Sequence, residues 1–298
     1  MSESFMNISD GMAASVKAAS PSVVRVEGRR RLPASGIVWS SDGLILTASH
    51  VVRRDSGITV GLPDGQSVVA AVAGRDQSTD LALLRVDASD LVPFQQANND
   101  NTAVGQFVLA LGRPGQTVQA TLGVVSALGG SWRTRRGGQI DNYLQTDVLM
   151  YPGFSGGPLI DAAANLVGLN SSALLPGVSV TLPTNALNRI TQALADHGHI
   201  RRGYLGVSTQ RVRLPRNLQD SLGQKRGLLI VSVEEDSPAE AGGLTLGDTI
   251  IGIGDARIRS HDELLSQLSG DNVNQKVPVK LLRGGEVLTL NVKIGERE

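Results

Sequence analysis

The sequence predicts a mainly β protein, in which two β-rich blocks precede a smaller domain of mixed α and β structure. Short apolar runs separated by turn residues recur from residue 22 to residue 183, a spacing typical of barrels and sandwiches. Glycine accounts for 35 of the 298 residues, and it supplies the positive φ angles that tight turns between strands require. At about 150 residues per domain, the length predicts two domains.

The first 20 residues predict one short helix. Asp10 is a candidate N-cap, Met12, Val16 and Ala19 fall on one face, and Pro21 would end the helix. This start lacks the basic and apolar regions of a signal peptide, and no apolar run approaches the ~18 residues that span a bilayer. The expected compartment is therefore open. It is cytoplasmic if residue 1 is the true start, and periplasmic or otherwise extracytoplasmic if a leader has been removed.

The two β-rich blocks consist of candidate strands joined by glycine-containing turns. Asp42-Gly43 and Asp64-Gly65 are typical hairpin turns. Residues 129–138 are polar and flanked by glycines, which predicts an exposed, mobile loop. The candidate strands are residues 23–26, 36–39, 44–47, 58–60, 68–72, 81–86, 107–111, 121–127, 143–146, 166–169 and 178–182.

The clearest helix begins at Thr184 and ends before Gly198, with apolar residues at helical spacing between them. Residues 201–203 resemble a linker. Beyond it, capping sequences at Ser237 and Ser260 predict two short helices. The candidate strands of this last part lie near residues 204–209, 227–233, 248–253, 277–282 and 287–294.

The charge and cysteine content exclude several classes of protein. Lysine plus arginine and aspartate plus glutamate each total 28, so the formal net charge is 0. A dedicated nucleic-acid binder normally carries an excess of basic residues. The absence of cysteine excludes disulfides, thiolate zinc sites and a cysteine nucleophile. Arginines concentrate at residues 29–31 and 133–136, and such runs are most often solvated faces of loops.

The strongest chemical signal is the segment from Pro152 to Leu159, in which Ser155 is flanked by glycines. Small neighbours leave backbone N–H groups free to stabilise the oxyanion of an acyl transfer. The alternative is a purely structural glycine-rich turn. A serine nucleophile also needs a base, and His50 follows a candidate strand, although many such histidines are core residues. Asp80 precedes another strand and would orient His50, or would only bond its own backbone in a turn.

The order His50, Asp80, Ser155 is one known order of a catalytic triad on double β-barrels. With it, the sequence resembles the HtrA/Deg family of serine proteases. The likeness extends roughly from residue 22 to residue 294, and four segments carry it: residues 41–52, 79–82, 145–159 and 237–248. It implies an N-terminal segment (1–20), a trypsin-like protease domain of two six-stranded β-barrels (21–200) and an α+β PDZ domain (201–298).

The resemblance also implies roles for individual residues. Ser155 would attack the scissile carbonyl, His50 would transfer the proton, and Asp80 would orient the imidazole. The N–H groups of Gly153 and Ser155 would form the oxyanion hole, with no metal or cofactor required. The pair His197 and His199 lacks the further ligands that a zinc site needs.

Two departures from the family pattern lie beside the nucleophile: Tyr151 and Phe154 stand where the family usually has asparagine. The Phe154 ring would either pack into a neighbouring pocket or crowd the site. A non-proteolytic chaperone or peptide-binding scaffold is therefore the alternative to a serine endopeptidase for unfolded or damaged proteins. Leu149 and Asn170 are the predicted residues of the substrate pocket, and Leu149 disfavours a basic residue at the cleavage position.

The C-terminal part has its own predicted site. Residues 202–207 resemble the carboxylate-binding loop of a PDZ domain, which adds a peptide C-terminus as a strand. The expected partners are unfolded proteins, C-terminal peptides and further copies of the chain, as a trimer by family resemblance; no nucleic acid is expected. The predicted peptide-binding residues are Tyr204, Leu205, Gly206, Val207, Leu264 and Leu268.

Overall fold

The computed structural model describes residues 3–30, 32–268 and 272–297. The chain divides into two compact units, residues 1–200 and 201–298. Helix α1 (Glu3–Ala19) begins earlier than the sequence predicted, so Asp10 is an interior residue rather than an N-cap. Its apolar face, including Met12 and Val16, packs against the barrels. No helix among the described residues is long and apolar enough to cross a membrane.

The first barrel is closed, antiparallel and six-stranded, in the order β1-β2-β3-β6-β5-β4. Some of its strands alternate buried and partly exposed residues and others are buried almost throughout, and valine, isoleucine and leucine fill its interior. The strands are β1 (Val23–Glu27), β2 (Ala34–Val38), β3 (Leu44–Ala48), β4 (Ile58–Gly61), β5 (Ser67–Asp76) and β6 (Leu81–Val86).

The second barrel is closed in the order β11-β14-β13-β12-β7-β8. The strands of this part of the chain are β7 (Phe107–Gly112), β8 (Gln119–Gly129), β9 (Trp132–Arg133), β10 (Gln139–Ile140), β11 (Tyr143–Thr146), β12 (Pro158–Ile160), β13 (Leu166–Ser171) and β14 (Ser179–Pro183). Helix α2 (Thr184–His197) follows, and Gly198 ends it with φ +76° as expected. The predicted fold class, mainly β with two six-stranded barrels, is confirmed.

The segment at 129–138 is more ordered than predicted. Strand β9 lies within this segment and pairs as a hairpin with β10, which directly follows it. The Thr134 hydroxyl donates to the Ser78 carbonyl over 2.6 Å, and Ile140 is fully buried. The hairpin is therefore anchored on the first barrel and is not a free loop.

The second unit is built on a sheet in the order β16-β17-β18-β20-β21, with β19 paired to β18 and a separate β15–β22 pair. Both predicted short helices are present, with Ser237 and Ser260 hydroxyls accepting from the helix backbone. Helix α3 was not predicted. The elements are β15 (Arg202–Tyr204), β16 (Val207–Arg213), α3 (Arg216–Leu222), β17 (Arg226–Val233), α4 (Pro238–Ala241), β18 (Thr249–Ile253), β19 (Ala256–Arg257), α5 (His261–Leu268), β20 (Lys276–Arg283), β21 (Glu286–Lys293) and β22 (Gly295–Arg297).

Candidate active site

His50 and Asp80 meet at the end of the first barrel. Strand β3 ends at Ala48, and a single 3-10 turn (Ser49–Val51) carries His50 into the solvent-facing cleft. The His50 Nδ1 atom lies 2.8 Å from Asp80 Oδ2, and the His50 backbone N–H donates to Asp80 Oδ1 over 2.8 Å. The carboxylate therefore fixes both the ring and the backbone of the histidine.

Asp80 has a backbone conformation that suits few residues. Its φ is +58°, in the left-handed region that aspartate and asparagine tolerate better than most side chains. The residue is 6 % exposed, and Ser171 donates a hydrogen bond to its Oδ2. Asp80 is thus bonded to groups far away in sequence rather than to its own backbone, and Ser171 is a partner that the sequence did not reveal.

Ser155 directly follows a tight turn of residues 151–154, and the backbone conformation of these residues identifies the type of turn. Phe154 N–H donates to Tyr151 O over 3.0 Å, and the second central residue, Gly153, has φ +97°. Pro152 has its φ fixed near −65°. A negative φ followed by a positive one identifies a type II turn, with proline and glycine at their preferred positions.

The first barrel holds this turn in place. The Ser35 hydroxyl donates to Gly153 O over 2.7 Å, and Ser35 N–H donates to Ser155 O over 3.2 Å. Gly156 has no room for a side chain, because a Cβ atom there would lie 2.2 Å from Ser35 O. Within the described part of the chain, the N–H groups of Gly153 and Ser155 make no backbone hydrogen bond. These are the two N–H groups that the family resemblance predicts for the oxyanion hole.

The Ser155 hydroxyl is hydrogen-bonded to Ser172. The two Oγ atoms are 3.0 Å apart, and Ser172 N–H points to Ser155 Oγ over 3.4 Å. No hydrogen bond joins Ser155 to His50 among the described residues. Both residues nevertheless line one open cleft of about 850 Å³, and catalytic hydrogen bonds are often formed only when substrate is present.

The two unusual residues of the turn differ in burial, although their rings are in contact. Phe154 is fully buried among apolar residues of the second barrel, including Val108 and Leu159. Tyr151 is 48 % exposed and packs edge-on against the Phe154 ring, with centroids 5.7 Å apart. Of the two arrangements that the sequence allowed for Phe154, packing into a neighbouring pocket is the one adopted.

The two predicted pocket residues do not line this cleft. Leu149 is 59 % exposed and lies outside the lining. Asn170 has no exposed surface, and its amide donates to Pro158 O over 2.9 Å and accepts from Thr181 over 2.8 Å. Its backbone carbonyl accepts from Gly156 N–H. Asn170 therefore positions the turn that carries Ser155 and does not face the cleft, because its position on β13 points its side chain inward.

In the second unit, the predicted peptide-binding residues come together at one end of the sheet. Leu205 is buried, Gly206 has φ +78°, and Val207 begins the edge strand β16. Leu264 and Leu268 are only 5 % and 3 % exposed and belong to the same core cluster as Leu205.

Two further side chains make hydrogen bonds near these residues. His261, at the start of α5, has Nε2 2.8 Å from Thr209 O on β16, a contact that the sequence did not suggest. The Tyr204 hydroxyl donates to Glu234. No group of three or more possible metal ligands occurs in the part of the chain that the structure describes.

Comparison with known proteins gives the same two-part division. Residues 34–169 match the model of the trypsin-like peptidase domain, and residues 203–294 match that of the PDZ domain. A protein of Rickettsia conorii named "Probable periplasmic serine endoprotease DegP-like" is 34 % identical over 272 residues, covering 87 % of this chain and 53 % of the relative. A protein of the same name from Marinomonas sp. is 37 % identical over 282 residues, covering 91 % of this chain and 58 % of the relative. The chain thus spans about half the length of the curated relatives that it matches.

Solved structures match over nearly the whole chain. The HtrA-type protease AlgW with a tripeptide is 32 % identical, with a TM-score of 0.77 and coverage of 96 % of this chain and 97 % of that one. The serine endoprotease from Yersinia pestis is 30 % identical, with a TM-score of 0.78 and coverage of 96 % and 98 %.

Proposed function

The chain belongs to the HtrA-type serine protease family, and from this premise we propose that it is an endopeptidase that cleaves unfolded or damaged proteins. Ser155 is the nucleophile, His50 the base and Asp80 the group that orients the base. The observation that carries the proposal is the 2.8 Å contact between His50 Nδ1 and Asp80 Oδ2, at the edge of the cleft that Ser155 lines. It leaves His50 Nε2 as the nitrogen that can accept a proton.

The first half of the reaction forms an acyl-enzyme. Ser155 Oγ attacks the scissile carbonyl while its proton moves to His50 Nε2. The negative charge on the carbonyl oxygen is stabilised by the N–H groups of Gly153 and Ser155, and Asp80 stabilises the imidazolium. The carbon–nitrogen bond then breaks, and the leaving amine takes the proton from His50.

The second half restores the enzyme. Water gives a proton to His50 Nε2 and adds to the ester carbon, and the same two N–H groups stabilise the second oxyanion. The bond from carbon to Ser155 Oγ then breaks, and Oγ regains its proton from His50. Before the first half of the reaction, the Ser155 hydroxyl must exchange its hydrogen bond with Ser172 for one with His50. A net hydrogen bond between neutral groups contributes only about 1 kcal/mol, so a bound substrate can drive this exchange.

The proposal is tested by cleavage of casein, an unfolded substrate. Purified protein should cleave it, and Ser155→Ala should lower the rate on the order of 10⁶-fold. Ser89→Ala, on an exposed turn of the same unit, is the matched control and should keep the wild-type rate. Wild-type cleavage by Ser155→Ala would reject Ser155 as the nucleophile.

A non-proteolytic peptide-binding scaffold is the second candidate, favoured by the hydrogen bond that holds the Ser155 hydroxyl at Ser172. A fluorophosphonate probe, which reacts with activated serines, separates the two. Absence of labelling with and without added C-terminal peptides supports the scaffold. Labelling only with peptide supports a protease that is regulated.

We further propose that the second unit binds peptide C-termini through the loop at residues 204–207. Among the described strands, edge strand β16 pairs on one side only, which leaves its other side for strand addition once His261 releases Thr209 O. The burial of Leu264 and Leu268 means that a side-chain pocket there requires α5 to shift. Binding of a labelled C-terminal peptide should be lost on Gly206→Val, because a Cβ at Gly206 would lie 2.3 Å from Ser237 Cβ.

Oligomeric state and compartment are also proposals. The family resemblance favours a trimer, which size-exclusion chromatography with light scattering tests. The curated relatives are named periplasmic endoproteases, which favours the periplasmic one of the two compartments considered, and cell fractionation tests it.

A further inference from the structure

Arginine side chains border the cleft that contains His50 and Ser155. Among the described residues, the lining includes neither aspartate nor glutamate, since Asp80 lies behind His50. We call the group of four the arginine rim: Arg29, Arg30, Arg53 and Arg54. In a chain whose formal net charge is 0, this is a strong local concentration of positive charge.

Two segments of the first barrel build the arginine rim. One is the β1–β2 connection, and the other follows the turn that carries His50. They are joined by a hydrogen bond of 3.0 Å from Arg53 N–H to Gly28 O, and a Cβ at Gly28 would lie 2.8 Å from Val51 O. The arginine side chains therefore start from backbone that is fixed beside the catalytic histidine. Arg31, in the same connection, lies outside the described residues.

The acidic residues nearest in sequence to the arginine rim already have ion-pair partners. Asp55, next to Arg54 in sequence, pairs with Arg75 over 2.9 Å, and Glu27 pairs with Arg25 over 2.8 Å. Among the residues that the structure describes, no member of the arginine rim has an ion-pair partner. Burial, and then the positive charge of Arg53, lower the pKa of Arg29 from its ordinary value. In the described part of the chain, these like charges thus lie beside one cleft with no ion-pair partner.

We propose that the arginine rim makes this cleft selective for polypeptides with aspartate or glutamate close to the scissile bond. The inference rests on the proposed function, because it takes the occupant of the cleft to be the chain that Ser155 cuts. Guanidinium groups form charge-assisted, often bidentate hydrogen bonds with carboxylates. A cleft lined by one sign of charge also concentrates the opposite sign and speeds its association. The exposed apolar parts of Leu32 and Tyr151 would contact aliphatic residues beside the acidic ones.

The test compares matched fluorogenic peptides that differ only by Glu against Gln, or Asp against Asn, at positions on either side of the cleavage site. Each acidic residue should raise kcat/KM about two- to fivefold at low salt, the range expected of exposed ion pairs. The preference should shrink toward one as the ionic strength rises, since salt screens exposed charges.

Substitution of the rim arginines tests whether they cause the preference for acidic peptides. In a variant with all four rim arginines changed to glutamine, the ratio of kcat/KM for acidic over neutral peptides should fall toward one. Arg135→Gln, an exposed arginine of the same unit that does not line the cleft, is the matched control and should keep the wild-type ratio. An unchanged ratio in the four-arginine variant would overturn the proposal.

A binding measurement separates this proposal from the proposed function. Ser155→Ala should bind the acidic peptide more tightly than the neutral one by fluorescence anisotropy, whether or not the wild type cleaves either. Casein cleavage by the wild type with no acidic preference in cleavage or binding would reject the selectivity and leave the protease standing. Competition by a DNA oligonucleotide but not by an acidic peptide would show that the arginine rim serves another polyanion, and would also reject it.

Discussion

Replacing Asp80 by asparagine tests how the histidine is held, with almost no change of shape. Asparagine also tolerates φ +58°, so the backbone should survive. The carboxylate accepts from His50 N–H, from the His50 ring and from Ser171. An amide has only one oxygen, so one of the two positions must become NH₂.

The orientation of that amide decides the outcome. An NH₂ group facing His50 N–H would leave two donors opposed, and a backbone N–H cannot adapt. An NH₂ group at the Oδ2 position is tolerated, because the Ser171 hydroxyl can rotate to accept and the imidazole can change tautomer. The proton then sits on His50 Nε2, the atom that must take the proton from Ser155. Loss of the correct tautomer lowers kcat on the order of 10⁴-fold, or about 5.5 kcal/mol of activation free energy.

The assay is casein cleavage, with circular dichroism to verify folding. Asp90→Asn is the matched control, because Asp90 also has a positive φ, +60°, and lies on an exposed turn. It should retain full activity. An Asp80→Asn variant within tenfold of the wild-type rate, and folded, would refute this role of the carboxylate.

Two further substitutions have defined outcomes. Gly112→Ala should displace the turn beside Ser155 and slow casein cleavage, because its Cβ would lie 2.6 Å from a carbon of the Phe154 ring. The control is Gly115→Ala, whose Cβ would meet nothing within 4 Å, and it should cleave casein at the wild-type rate. Equal rates for the two variants would contradict the packing role of Phe154. For buried Asp248, burial acts to raise the pKa, but hydrogen bonds from Arg283 and a backbone N–H lower it below its ordinary 3.8. The folded state therefore gains stability from this carboxylate above about pH 4 and loses it as the pH falls through the lowered pKa. At pH 7, the backbone amides of strand β18 should exchange hydrogen faster in Asp248→Asn than in the wild type, and this difference in rate should narrow below pH 3.8. A difference that grows in acid would contradict the lowered pKa of Asp248.

The sequence predicted the barrels well because their strands alternate or carry continuous apolar runs, and because turns such as Asp42-Gly43 mark their ends. It missed the hairpin of β9 and β10, since two-residue strands have no measurable period. It placed the start of α1 at Asp10 because that residue is a good N-cap, although the helix continues through it.

Parts of the candidate site depend on contacts that no local pattern reveals. Asn170 and Ser172 are close in sequence, yet only Ser172 reaches the cleft, because Asn170 lies within β13 whereas Ser172 follows the end of that strand. The bond from Ser171 to Asp80 joins residues 91 positions apart. Arg53 and Arg54 had a signal in the sequence, their place directly after the histidine segment, but a pair of arginines is not a conspicuous run. Only the folded chain brings them beside Arg29.

We propose that one hydroxyl among many serines, that of Ser155, is made reactive by its surroundings. Peptide mapping by mass spectrometry after treatment with a fluorophosphonate tests this proposal. A single adduct on Ser155, much weaker in the Asp80→Asn variant, is the predicted result. An adduct on another serine, or none in protein that cleaves casein, would contradict the account.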